Sequence, residues 1–179
     1  MKTRIAIDLD NVIWDLSSSW LECYNEKTGE NVKPEDITDY DIGKFVEKPY
    51  ELFNILYSRI FWQHINIEPA IIKTITSLKN HGVDIKIVTA TDYEIARPKF
   101  DRLLELIPAL KKEDLIIAYD KSWIDAEWLI DDNPANLKSY TNNRILIDQP
   151  YNRGVLDYYY DYRAKDLIDA ISFIIKYLE

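Results

Sequence analysis

Two aspartates, Asp8 and Asp10, stand one residue apart in the run IAIDLDNV, directly after a short apolar stretch. A carboxylate withdrawn from water without a partner is costly, so the pair must face either solvent or a cation. Three later stretches carry groups of matching chemistry: Thr89 in IKIVTAT, Lys121 in YDKSW, and Asp131 with Asp132 in WLIDDNP. Three or four carboxylates gathered at one point need a divalent cation, and hard oxygen ligands favour Mg2+. A lysine and a hydroxyl beside that cation suit a phosphoryl group, because the ammonium neutralises oxygen charge and the hydroxyl donates a hydrogen bond. A carboxylate in such a place can attack phosphorus and form an aspartyl-phosphate. A second carboxylate two residues away can protonate the leaving oxygen, then deprotonate the water that cleaves the intermediate. Asp8 and Asp10 must then differ in environment, one ionised and one poised to give up a proton.

Each group alone has an ordinary explanation. An Asp-x-Asp is commonly a solvated turn, a threonine after a strand caps a helix, a single lysine faces water, and Asp131-Asp132-Asn133-Pro134 reads as a turn with a helix start. What distinguishes them is order and position. Arg4 to Leu9, Val83 to Val88, Leu115 to Ala118, Trp128 to Ile130 and Arg144 to Ile147 read as strands, being rich in β-branched and apolar residues. Helices are expected over about 16–27, from Pro69 to His81-Gly82, over 93–106, from Pro134 to Tyr140 and over 166–178. Strands alternating with helices imply a parallel sheet covered on both faces. In such a sheet ligands gather at the carboxyl ends of the strands. The acids, the threonine and the lysine all fall at or just beyond those ends. Residues 15–68 interrupt the alternation after the first strand and read as an inserted helical cap, with residues 1–14 and 69–179 as the α/β core.

Composition bounds the rest. The 179 residues are 47% hydrophobic and 13% aromatic, enough apolar surface for one core. Lys and Arg number 22 against 31 Asp and Glu, a net charge of −9. That balance lacks the footprint of a protein that binds a nucleic acid polymer, and it disfavours an anionic membrane surface. The lone Cys23 cannot form an intrachain disulfide, which fits a reducing, cytoplasmic setting. No apolar run approaches the ~20 residues that span a bilayer.

Taken together, these stretches resemble the four motifs of the haloacid dehalogenase (HAD) superfamily of phosphohydrolases. Within it, the ten-residue step from Lys121 to Asp131, the phrase LIDD, the EPA turn at residues 68–70 and the late DQPYN resemble the 5'(3')-deoxyribonucleotidase family. That is the cytosolic and mitochondrial type, with bacterial and phage relatives. The resemblance implies a Rossmann-like α/β core with a helical cap, and hydrolysis of a nucleoside monophosphate to nucleoside and phosphate. It makes Asp8 the nucleophile and Asp10 the acid/base. It gives Mg2+ to Asp8, the Asp10 carbonyl and Asp132, with Asp131 in support, and the phosphoryl oxygens to Thr89 and Lys121. Asn11 stands where a glycine is usual, and Leu16 where an aromatic usually lines the base pocket. Tyr40 and Trp62 are the candidates for base stacking. A small phosphomonoester is the expected partner, and a homodimer is an allowed assembly.

Other classes make different demands. A phosphatase of the same superfamily could act on another small phosphorylated metabolite, and a phosphomutase shares the machinery. A dehalogenase does not need the acid at Asp10. A receiver domain holds an aspartyl-phosphate with similar groups, yet has no use for an aromatic insertion of this length after its first strand. A silent scaffold would not need the full set of acids.

Overall fold

The computed structural model describes residues 3–178. Among them six parallel strands form one sheet: β1 (Arg4–Ile7), β2 (Asp84–Thr89), β3 (Leu115–Ile117), β4 (Trp128–Asp131), β5 (Asn143–Ile147) and β6 (Tyr162–Ala164), in the order β3-β2-β1-β4-β5-β6. This is the doubly wound order whose winding reverses beside β1. A receiver-type sheet runs 2-1-3-4-5 instead, so the strand order sets that alternative aside. Ile5, Ala6 and Ile7 of β1 are buried, as is all of β4. Central parallel strands are covered on both faces, which is why these runs are continuously apolar rather than alternating.

The seven α-helices of the described residues are α1 (Leu16–Thr28), α2 (Pro49–Leu56), α3 (Arg59–His64), α4 (Pro69–Asn80), α5 (Tyr93–Leu106), α6 (Pro134–Ser139) and α7 (Leu167–Leu178). Their starts follow local chemistry. The Asp15 carboxylate accepts from the Ser18 amide at 2.9 Å and caps α1. Proline occupies the first turn of α2, α4 and α6, where its missing N–H costs nothing. Gly29 closes α1 in the left-handed region at φ 80°.

Between β1 and α4 the chain forms α1, two 3-10 turns at Pro34–Asp36 and Ile42–Phe45, then α2 and α3, with no strand. Trp20, Leu21, Tyr24, Leu52 and Trp62 from this stretch are buried in the same apolar cluster as Ile5, Ile7 and Ile130 of the sheet. The helical segment therefore has no separate core.

One element departs from the sequence expectation. Arg144 to Ile147 is not the last strand, because β6 pairs with β5 through Ile145–Tyr162, Leu146–Arg163 and Ile147–Ala164. A three-residue, half-buried edge strand with an arginine in its middle has too little apolar periodicity to be read from sequence.

Candidate active site

The winding of the sheet places the site. β1 and β4 are neighbours, while their connections leave in opposite senses, so a crevice opens beyond their carboxyl ends. Asp8 follows β1, and its amide donates to the Ile130 carbonyl at 2.8 Å. Asp131 ends β4 and Asp132 follows it. One carboxylate oxygen from each of Asp8, Asp131 and Asp132 lies within 4.8 Å of those of the other two, and all three residues are buried.

Lys121, itself buried, lies beneath them. Its ammonium donates to Asp8 Oδ1 and, at 2.6 Å, to Asp131 Oδ2. Asp131 is further held by the Asn133 amide at 2.8 Å and by the Asn136 side chain at 3.0 Å. The Tyr151 hydroxyl donates to Asp132 Oδ2, and Asn152 Nδ2 donates to the Asp132 carbonyl at 2.8 Å. Asp10 is gripped from two sides. Trp14 Nε1 donates to its Oδ1 at 2.8 Å, and the Lys99 ammonium donates to its Oδ2. Lys99 also donates to Thr89 Oγ1 at 3.0 Å.

The electrostatics follow from burial. Desolvation pushes the Asp8 carboxyl up to about 7, against the lowering pull of Lys121, with Asp131 and Asp10 adding repulsion. Burial, then the charges of Asp8 and Asp131, hold Asp132 well above the usual carboxylate range. Burial opposes the charge on Lys121, yet Asp8 and Asp131 outweigh it and strengthen its hold on the proton. Four carboxylates (Asp8, Asp10, Asp131 and Asp132) face two ammoniums (Lys99 and Lys121), an excess of two negative groups. One divalent cation balances that excess, and an all-oxygen donor set suits a hard ion such as Mg2+. The residues present therefore fit the cation.

Above this floor lies a cavity of ≈ 410 Å³, with Asp8, Asp10, Thr89 and Asp132 at its base and Leu16, Trp20, Ile37, Tyr40, Phe53 and Leu56 along its walls. A polar base with an apolar wall is the usual build of a small-molecule site, and the volume suits a nucleoside-sized ligand. A second cavity of ≈ 440 Å³, lined by Cys23, Glu26 and His64 among others, lies between α1, α2 and α3 and contains none of these acids.

Of the residues singled out in the sequence, Asp8, Asp10, Thr89, Asp132 and Tyr40 line the cavity. Asp131 and Lys121 support it from below. Tyr40 is 60% exposed, and its ring meets that of Tyr151 edge-on at 5.8 Å. Trp62 does not belong to the cavity wall. It is 1% exposed, packed against Trp14 at 5.9 Å and Phe61 at 5.1 Å, and its indole N–H donates to the Leu56 carbonyl at 2.7 Å. With both faces covered it offers no surface for stacking a base, so that expectation is corrected. Leu16 does line the cavity, with an aliphatic side chain at the position where an aromatic was expected.

Asn11 is the one non-glycine residue with positive φ among those described, at 56°. Asparagine tolerates the left-handed region better than most residues, and here its side chain adds two bonds. Asn11 Oδ1 accepts from the Ser17 amide at 2.9 Å, and Nδ2 donates to the Tyr151 hydroxyl at 3.0 Å. It thereby ties the start of α1 to the residue that holds Asp132.

The sequence reading missed Trp14, Lys99, Asn136 and Asn152, and it gave no role to Tyr151 of DQPYN. For Lys99 a signal existed. Ile95, Lys99 and Leu103 recur at four-residue intervals on α5, and all three are buried. A lysine on an apolar helical stripe must find a buried counter-charge.

The fold defines a class, that of the HAD-like proteins. A HAD family hydrolase from Deinococcus radiodurans, solved with bound phosphate and sodium, matches over 98% of this chain and 96% of its own. The TM-score is 0.66 and the identity 14%. A HAD-hydrolase from Bacillus subtilis, solved bound to magnesium, matches over 97% of this chain and 98% of its own, with TM-score 0.62 and 14% identity. At that identity the likeness speaks for the fold alone. Sequence narrows the class. The 5'(3')-deoxyribonucleotidase of Clostridium acetobutylicum is 30% identical over 174 residues, covering 94% of this chain and 93% of that protein. The family profile described as "5' nucleotidase, deoxy (Pyrimidine), cytosolic type C protein" matches residues 2–177, and the chain belongs to that family. It is a hydrolase of the phosphoric monoester class. No helix among the described residues is long and apolar enough to cross a membrane.

Proposed function

We propose that this protein is a Mg2+-dependent phosphomonoesterase that hydrolyses deoxynucleoside monophosphates to nucleoside and phosphate through an aspartyl-phosphate on Asp8. The observation that carries this reading is the juxtaposition of a buried Asp8, Asp131 and Asp132 over Lys121, at the base of a cavity whose wall is apolar. Family membership supports the reaction class. Residues 15–68 serve as the cap that shapes the substrate wall, and the lone Cys23 suits a cytoplasmic enzyme.

Asp8, the Asp10 main-chain carbonyl and Asp132 would hold the Mg2+, with Asp131 steadying the cluster through Lys121. The bound ion would offset the charge of the phosphoryl oxygens and of the carboxylates around them. Asp8 is the nucleophile. Its carboxylate oxygen bonds to phosphorus as the ester P–O bond breaks, and Asp10 gives its proton to the leaving nucleoside oxygen. Asp10 then takes a proton from water, whose oxygen attacks phosphorus and breaks the bond to Asp8. Lys121 keeps Asp8 ionised and aimed, and together with Thr89 it draws the phosphoryl oxygens into place. Tyr40, at the mouth, contacts the base.

A panel of deoxy- and ribonucleoside monophosphates beside sugar phosphates, assayed with Mg2+, tests the reading. Preferred turnover of deoxynucleotides is the expected result. Equal or better turnover of sugar phosphates would leave a phosphatase of another small metabolite in its place. Full activity in Asp8→Asn would refute the mechanism.

A further inference from the structure

Lys99 is among the largest fully buried side chains of the protein, 2% exposed, and it does not line the cavity. Its ammonium is nonetheless bonded to two residues that do, Asp10 and Thr89. The ring of Trp62 lies beside it, with the ammonium 5.6 Å from the ring centre, a cation–π contact that completes its surroundings. We propose that Lys99 is a positioning residue for proton transfer, fixing the carboxyl plane of Asp10 and turning the Thr89 hydroxyl toward the phosphoryl group. This rests on the reading of Asp10 as the acid/base.

Two features of the geometry carry the argument. First, Asp10 accepts from Lys99 at Oδ2 and from Trp14 at Oδ1, donors that come from α5 and from the loop after β1. Two donors on different elements leave the carboxyl no rotational freedom. Each oxygen keeps a second lone pair, and that is where the transferred proton resides. A proton donor held in this way meets the leaving oxygen in one geometry, whereas an untethered aspartate samples several rotamers. Second, an ammonium donates and never accepts. Thr89 Oγ1 accepts from Lys99, so the hydroxyl proton of Thr89 points elsewhere, and the cavity is the side that Thr89 lines. One buried cation thus couples the proton donor to the phosphate grip without touching the substrate.

The test compares two leaving groups. A nucleoside leaves as an alkoxide and needs the proton, while p-nitrophenolate leaves without it. The ratio kcat/KM reports only the steps through ester cleavage. For Lys99→Met, kcat/KM falls on the order of 100-fold for a deoxynucleoside monophosphate and less than about 5-fold for p-nitrophenyl phosphate, in line with a general acid. Trp14→Phe, which removes only the other donor to Asp10, shifts the two substrates apart in the same direction and stands in if Lys99→Met does not fold. Asp10→Asn sets the full size of the separation. If Asp10→Asn separates the substrates and the Lys99 and Trp14 variants lower both equally, Lys99 is structural and the proposal is overturned. A loss confined to KM makes Lys99 a phosphate ligand and overturns it equally. If Asp10→Asn itself fails to separate them, the acid/base reading falls and the proposal with it. If wild type cleaves glycerol phosphate but no nucleotide, only the substrate assignment falls, and glycerol phosphate becomes the alkoxide arm.

Discussion

The metal-free protein should gain stability when the Asp8 carboxylate, the nucleophile proposed above, is neutralised. Burial lifts the Asp8 carboxyl from 3.8 to about 7. A group whose proton is held more tightly in the folded state costs nothing below pH 3.8, where both states are protonated. The cost then grows as pH rises from about 4 to 7 and stays in full above that. At about 1.4 kcal/mol for each pH unit, the folded state carries about 4 kcal/mol of unfavourable charge at pH 8. Asp8→Asn keeps the shape and removes the charge. Lys121 loses one partner but keeps Asp131 at 2.6 Å, so no buried ammonium is orphaned. Allowing for that lost contact, the variant should be about 2–4 kcal/mol more stable than wild type at pH 8 in EDTA, and should match it near pH 4. For a chain of this size that is on the order of 10 °C in melting temperature. Adding Mg2+ should close most of that gap. At 100 times its Kd the ion stabilises wild type by about 2.7 kcal/mol, and the variant should gain much less. Urea or thermal melts at pH 4, 6 and 8, with EDTA or Mg2+, read all of this. A variant less stable than wild type in EDTA at pH 8, or a difference that does not change with pH, would refute the account of a charge-strained site.

Three further outcomes follow from positions that the site and the core treat differently. Trp62→Ala, which empties a fully packed aromatic position, should destabilise the fold by about 3–5 kcal/mol by urea titration. Its KM for a deoxynucleotide at a temperature where it is folded should stay near the wild-type value. Tyr40→Ala should do the opposite, raising KM several-fold in steady-state assays with little change in melting temperature, because the ring is mostly exposed and lines the cavity. Asp114 is buried; burial raises its pKa, but the Lys79 ammonium, the Lys111 amide and the Lys86 ammonium outweigh that and hold it below the ordinary value. That stability is present above the unfolded value and lost as pH falls through the folded one. Urea midpoints measured between pH 2.5 and 6 should therefore show a shallower acid limb for Asp114→Asn, which loses about 1–3 kcal/mol at pH 7.

The strand ends were legible because buried parallel strands are short, apolar and abruptly stopped, so a charged residue at the stop is conspicuous. Asp8, Asp131 and Asp132 needed no more than that. What orients them was less visible. Tyr151 and Asn152 lie beyond β5 in a 3-10 turn at Pro150–Asn152, and no local periodicity says that this turn folds back onto Asp132. Aromatic content marked the helical segment between β1 and α4 but not its facing: Tyr40 and Trp62 are alike in composition, and only packing separates an open ring from a covered one. Lys99 shows where a closer reading would have succeeded. It sits between Ile95 and Leu103 on the buried stripe of α5, and a helix does not bury an ammonium without a counter-charge. In this chain Lys121 already satisfies Asp8 and Asp131, and Tyr151 engages Asp132. Asp10 is the acid left for Lys99 to meet, and the helix after β2 is the element that carries the ammonium to it. A lysine that interrupts an apolar stripe beside a strand ending on acids is therefore evidence about the candidate site as direct as an aspartate at a strand end.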